Sequence, residues 1–221
     1  MEVKLIAHTP NGMEVALTAI RTCYSHLKPS EIIKAEGEKY FGRMATDGKE
    51  GTEADRLIRH IINSGHTSTM EHLNYTFAIE GVSRSLLAQL TRHRHFSYSV
   101  QSQRYVKMES ESKSGGFNYT FPKTIIENQF AYDTYTIVME NIQHAYNELR
   151  ASGIPAEDAR YILPNAATCN LVLTGNLRSI LEFYSKRNPS THAQWEIKEL
   201  AEKIKNEVIN VEPWVKSFFE R

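Results

Sequence analysis

Only two cysteines occur in the 221 residues, Cys23 and Cys169, far apart and outside any CxxC spacing. A disulfide framework or a thiolate metal cage is therefore not indicated, and both are expected to be reduced, buried thiols of a cytoplasmic protein. Neither sign of charge is in excess: 26 Lys and Arg stand against 26 Asp and Glu. That disfavours a general nucleic-acid or anionic-membrane binder. No apolar run reaches the length of a membrane span, and Met1 to Thr9 lacks the basic, apolar, small order of a signal peptide. Glycine-rich phosphate loops are missing as well. Without GxGxxG or GxxxxGK(S/T), neither a Rossmann nor a P-loop nucleotide site is indicated. No Ser-His-Asp order and no paired-carboxylate pattern stands out, and no CxxC or HExxH spacing points to a metal.

What is present suffices for a core. An apolar fraction of 41% over this length suits one large domain, 1–221, with two small ones as the alternative. Strands are expected at Val3 to Ala7, Leu73 to Ile79 and Cys169 to Thr174. Helices are expected at Pro10 to Cys23, from a Ser30 cap to Tyr40, at Thr52 to Asn63, after a Ser83 cap, at Ile125 to Leu149, Ala156 to Leu163, Leu177 to Lys186 and Gln194 to Ile209. The helix after Ser83 buries Val82, Leu86, Leu87 and Leu90, with Arg92 and His93 in its last turn. Ser99 to Gly116 reads as loop. Helices with a few non-adjacent strands indicate α+β, a compact domain with a small mixed sheet, not a regular βαβ winding.

Three constellations carry chemistry. The first is Arg92-His93-Arg94, then seven residues, then Ser102-Gln103-Arg104-Tyr105. Gln89 and Arg92 lie three apart on one helix face. Guanidinium forks match phosphate oxygens, and the amides of Gln101 and Gln103 and the Ser102 hydroxyl add polar donors for a heterocycle. The plainer reading, cations favouring a helix dipole, covers Arg92 and His93 but not Arg94, Ser102 and Arg104 in a loop with no acid nearby. The second is Gly65-His66-Thr67-Ser68-Thr69-Met70-Glu71-His72, a polar turn or a ligand-facing loop. The third is Asn176, Arg178, Glu182 and Arg187. It reads either as a solvated ion-pair ladder or as a helix N-terminus prepared for an anion. Arg160, beside Glu157 and Asp158, reads by itself as a surface ion pair.

The block Arg92-His93-Arg94-His95-Phe96-Ser97-Tyr98-Ser99, with Ser102-Gln103-Arg104-Tyr105, resembles the diagnostic motif of the flavin-dependent thymidylate synthases. The likeness extends to Gly65-His66, Glu71-His72, Asn176-Leu177-Arg178-Ser179 and Gln194-Trp195-Glu196-Ile197, in the family's order. It implies methylation of dUMP to dTMP with FAD, 5,10-methylenetetrahydrofolate as carbon donor and NADPH as reductant. It also implies a homotetramer whose active sites draw on several chains. By position, Gln89, Leu90, Thr91, Arg92, Val100, Gln101, Ser102, Gln103, Arg104, Arg160 and Arg187 resemble dUMP contacts. His66, Ser68, Glu71, Arg92, His93, Arg94, Val100, Asn176, Leu177, Arg178 and Glu182 resemble FAD contacts. Arg187 matches the arginine that polarises the uracil ring, and Ser102 resembles a substrate-positioning residue. Neither cysteine falls in a matching block, which suits chemistry without an enzyme nucleophile. Two positions depart from relatives. Glu182 stands where His or Asn is frequent, and Val100 replaces a polar side chain, leaving its backbone to serve the ligand. A non-catalytic RNA-binding module built on Arg92, Arg94, Arg104 and the tyrosines is the rival reading, against which the neutral charge counts. A flavin protein without methylation activity is the third.

Overall fold

The computed structural model describes residues 1–220; Arg221, the last residue of the expected domain, lies outside them. The chain opens with strand β1 (Glu2–His8) and turns through Asn11, which adopts φ +52, into helix α1 (Gly12–Thr22). Helix α2 (Ile32–Phe41) follows a 3-10 turn at Pro29–Glu31, so the proline, and not a Ser30 cap, starts it. Helix α3 (Glu53–Asn63) begins where Thr52 meets Asp55, the Thr52 N–H donating to Asp55 Oδ2 at 2.7 Å. Strand β2 (Asn74–Ser83) runs into helix α4 (Arg84–Leu90) through the Ser83 hydroxyl, which accepts from the Leu86 N–H at 3.0 Å.

Strand β3 (Ser97–Val100) lies in a segment whose sequence reads as loop from Ser99 onward. The long helix expected from Ile125 is two: α5 (Lys123–Ile126) and α6 (Gln129–Ala151). Asn128 breaks them by accepting from the Ala131 N–H and capping the second. Helix α7 (Ala156–Ala159) continues as a 3-10 turn, and strand β4 (Thr168–Asn176) hands over to helix α8 (Leu177–Arg187) through the expected Asn176 cap. Helices α9 (Trp195–Val211) and α10 (Lys216–Phe219) complete the described chain. The four strands order as β1-β2-β4-β3. The sheet is antiparallel, not mixed, because each strand enters beside its neighbour with the chain reversed.

The chain divides into two compact units. One comprises Met1–Glu2, Ala78–Arg94 and Tyr98–Val172; the other comprises Val3–Phe77, His95–Ser97 and the described residues from Leu173 onward. In the first, Met108, Phe117, Met139, Tyr146, Ala159 and Ala167 form one apolar cluster. Gln143 on α6 ties in the loop before it: its amide accepts from the Phe117 N–H at 2.9 Å and donates to the Met108 carbonyl at 2.8 Å. In the second, α9 buries Ile197, Leu200, Ala201, Ile204 and Val208, at the helical spacing that makes one apolar stripe, and α8 buries Ile180 and Phe183. Each fully buried Leu or Ile contributes roughly 1.5–3 kcal/mol. Cys169 is buried on β4 as expected. Cys23 is exposed, because α1 ends there and its side chain leaves the apolar face of Ala16, Leu17 and Ile20. No helix among the described residues is long and apolar enough to cross a membrane.

Candidate active site

In the first unit, helix α4 delivers the RHR run. Leu90 is buried and Gln89 half-buried, which fixes the helix end, and Thr91 closes it. Arg92 and His93 therefore follow the helix instead of lying in its last turn, although their N–H groups still donate to the Gln89 and Leu90 carbonyls at 3.2 and 3.0 Å. Tyr98, on β3, holds this turn. Its hydroxyl donates to the Leu90 carbonyl at 2.6 Å and lies 2.9 Å from the His93 carbonyl. Burial pushes the Tyr98 hydroxyl well above the usual phenol range, so it stays a donor. Arg92 and Arg94 are exposed and, among the described residues, have no side-chain hydrogen bond or ion pair.

Beyond β3 the chain stays attached to the sheet: the Gln101 N–H donates to the Asn170 carbonyl at 2.8 Å. Ser102 then nucleates a turn. Its carbonyl accepts from the Val106 N–H at 2.9 Å and its hydroxyl from the Arg104 N–H at 3.2 Å. Gln103 is buried at 8% exposure, while Val100 and Ser102 are half-buried. Arg104 does have an acidic partner, which is invisible in the local sequence. Its Nε donates to Glu157 Oε2 at 2.8 Å, across 53 positions. The Glu157 side chain is thus taken, and Arg160 donates from Nε to the Glu157 backbone carbonyl at 3.0 Å in place of a surface ion pair. Tyr98 lies inside the motif block and Glu157 beside Arg160, but nothing local in the sequence shows that one holds the turn after α4 and the other meets Arg104.

The second unit gathers the other set. Gly65, at φ +84, ends α3 and turns the chain toward His66, whose N–H returns to the Ile61 carbonyl at 3.1 Å. His66 and Ser68 are exposed, Ser68 on a 3-10 turn at Thr67–His72. Leu177 is buried and its N–H donates to the Leu73 carbonyl at 2.8 Å, which sets the start of α8 beside that turn. Asn176 accepts from the Ser179 N–H at 2.9 Å. Arg178 pairs with Glu71 at 2.5 Å and not with Glu182 along its own helix. Glu182 pairs with Lys186, four residues on, at 2.6 Å, as an ion-pair ladder along α8 would have it, and that hydrogen bond holds its carboxyl below the usual range. Arg187 is half-buried in the last turn of α8. Between these elements lies a cavity of about 320 Å³, walled by Ile62, Met70, Leu181, Phe218 and Phe219, with Arg178 and Glu182 at its polar side. A helix N-terminus with a guanidinium, beside an apolar-walled cavity, can take an anion attached to a ring.

Residues 4–214 match the family model described as thymidylate synthase complementing protein. The chain is similar to the flavin-dependent thymidylate synthase of Clostridium tetani, with 35% identity over 229 residues that cover 96% of this chain and 84% of that one. Its fold is similar to a flavin-dependent thymidylate synthase from Helicobacter pylori complexed with FAD and dUMP. The TM-score is 0.71 at 28% identity, over 100% of this chain and 98% of that one. A UMP/dUMP methylase from Streptomyces cacaoi bound with 5-Br dUMP shares the fold, with a TM-score of 0.77 at 22% identity over 99% and 94% of the two chains.

Proposed function

Because the chain belongs to the flavin-dependent thymidylate synthase family, we propose that it methylates dUMP to dTMP with FAD as cofactor, 5,10-methylenetetrahydrofolate as carbon donor and NADPH as reductant. The observation that carries this reading is Arg92-His93-Arg94 followed, after seven intervening residues, by Ser102, within a family match that spans residues 4–214. The balance is dUMP, the methylene folate, NADPH and a proton in; dTMP, tetrahydrofolate and the oxidised nicotinamide out. FAD, when bound, supplies the two-electron carrier between the nicotinamide and the carbon being transferred.

The chain's own residues fit these ligands. Arg178 and Asn176 at the start of α8, with His66 and Ser68, are donors suited to a dinucleotide's phosphates and sugars, and Leu177, His93 and Arg94 complete the proposed cofactor set. Glu71 and Glu182 are acceptors suited to ribose or adenine groups. Arg92, Arg104 and Arg160 suit the nucleotide phosphate. Gln89, Gln101, Ser102 and Gln103, with the backbone of Leu90, Thr91 and Val100, suit the sugar and base. Arg187 then places a fixed cation beside the uracil ring and favours the ring's developing negative charge, a preorganised electrostatic role. The burial of Cys169, and the place of both cysteines outside the matching blocks, suit a reaction with no thiol nucleophile.

A homotetramer with active sites drawn from several chains completes the reading. One face of α6 leaves Phe130, Ile137 and Val138 exposed, at 82%, 57% and 45%, which suits burial against another copy. The test is spectroscopic. Protein incubated with FAD and passed through gel filtration stays yellow and elutes as a tetramer, and dUMP then perturbs the flavin spectrum. A colourless protein whose spectrum does not respond to dUMP contradicts the reading.

A further inference from the structure

Two of the three arginines proposed for the nucleotide phosphate touch a single residue, Glu157, and they touch it differently. Arg160 donates to its backbone carbonyl, a contact that no side-chain change removes. Arg104 meets its carboxylate, with Nε at 2.8 Å and Nη2 at 2.6 Å from the same oxygen, Oε2. The two side chains of this pair are 47% and 51% exposed, so a competing anion can reach it. Glu157 takes the guanidinium's hydrogen bonds, but other contacts stay with Arg104 when the carboxylate leaves. The Ser102 hydroxyl holds its N–H, and its guanidinium lies over the Tyr105 ring at 5.7 Å. Arg92 and Arg94, in the same unit, have no such carboxylate among the described residues. Of Arg92, Arg94 and Arg104, only Arg104 meets a carboxylate among the described residues.

Resting on the function proposed above, we propose that Glu157 is a displaceable counter-ion. It occupies Arg104 until the phosphate of the nucleotide takes its place, and so it sets the charge that an incoming ligand must carry. A carboxylate brings one negative charge. A phosphate monoester approaches two above its second ionisation, near pH 6, and offers more acceptor oxygens to the guanidinium fork. The dianion therefore wins Arg104, and a neutral nucleoside does not. Once released, the half-exposed Glu157 side chain moves into solvent at little cost. Glu157 is in this sense a positioning and specificity residue: it touches an arginine that touches substrate, and it acts against binding.

The test compares wild type with Glu157→Gln as FAD-loaded holoproteins, titrated with dUMP and with deoxyuridine. Removing an exposed competitor lowers the dUMP Kd and KM by about two- to fivefold, with kcat and deoxyuridine affinity unchanged. Glu157→Ala moves dUMP affinity in the same direction, which separates loss of charge from any contact the amide makes. Unchanged or weaker dUMP binding in both variants overturns the proposal, because Glu157 is then inert or holds Arg104 in a productive place. If folded, flavin-bearing wild type binds no dUMP, the functional reading fails and this proposal fails with it. Equal dUMP binding by wild type and both variants sinks the counter-ion alone.

Discussion

Arg178 and Glu71, 107 residues apart in sequence, meet at 2.5 Å, the guanidinium of one element's first turn against a carboxylate of a 3-10 turn. The pair is half-exposed, so its worth lies less in stability than in where it holds the guanidinium: at the N-terminus of α8, beside an apolar-walled cavity. Arg178→Ala removes a charge-assisted donor from the proposed cofactor set. A bond of roughly 1.5–3 kcal/mol corresponds to about 10- to 150-fold weaker FAD binding. Flavin content per chain after gel filtration measures it, and full retention of the yellow colour contradicts the assignment.

Tyr98→Phe deletes the hydroxyl that closes the turn after α4 while keeping the ring. It removes one of two donors to the Leu90 carbonyl, which keeps the His93 N–H, and is expected to cost about 0.5–1.5 kcal/mol. Thermal unfolding falls by a few degrees. Because the turn carries Arg92 to Arg94, the dUMP KM rises more than kcat falls. A variant with an altered Tm but an unchanged KM limits Tyr98 to a structural role.

Much of the architecture shows in the sequence because it is decided locally. Ser83 and Asn176 are one residue from the helices they cap, and the Ile58, Ile61, Ile62 stripe of α3 repeats within two turns. Strand β3 is hidden because it is four residues long and half its side chains are serines facing outward. The break at Asn128 is hidden because α5 and α6 share one apolar-rich run, with a single cap between them. The site divides in the same way. The motif residues are legible as types, but the partners that orient them come from afar: Glu157 reaches Arg104 across 53 positions and Glu71 reaches Arg178 across 107. Charge spacing along one helix pairs Arg178 with Glu182, but three-dimensional proximity pairs it with Glu71.

Arg187→Ala tests the cation proposed to lie beside the uracil ring. Loss of one preorganised electrostatic contact lowers kcat by about 10²–10³-fold. Flavin content is expected to hold, since Arg187 lies at the far end of α8 from Asn176 and Arg178. Near-wild-type turnover removes Arg187 from the chemistry. Loss of flavin together with turnover makes it a cofactor contact.

Acid lability is expected to run through Glu36. Its hydrogen bond from Arg21, at 2.6 Å, holds the Glu36 carboxyl below its ordinary value, with Ser25 adding a second bond. A depressed folded-state value means that the unfolded chain takes up the proton first. The contribution is fully present above the ordinary carboxylate range and is lost as pH falls through the folded value. Wild-type Tm is therefore expected to drop more steeply than that of Glu36→Gln between neutral pH and about pH 3. Parallel curves contradict this.

The most direct measurement is the release of tritium from dUMP labelled at C5, followed by identification of the nucleotide product. That hydrogen must leave C5 for the new carbon substituent to take its place. With FAD, NADPH and 5,10-methylenetetrahydrofolate present, the protein is expected to form dTMP with at least one tritium released for each, and to form no dTMP when the folate is omitted. Flavin-loaded protein that binds dUMP yet yields no dTMP contradicts the account.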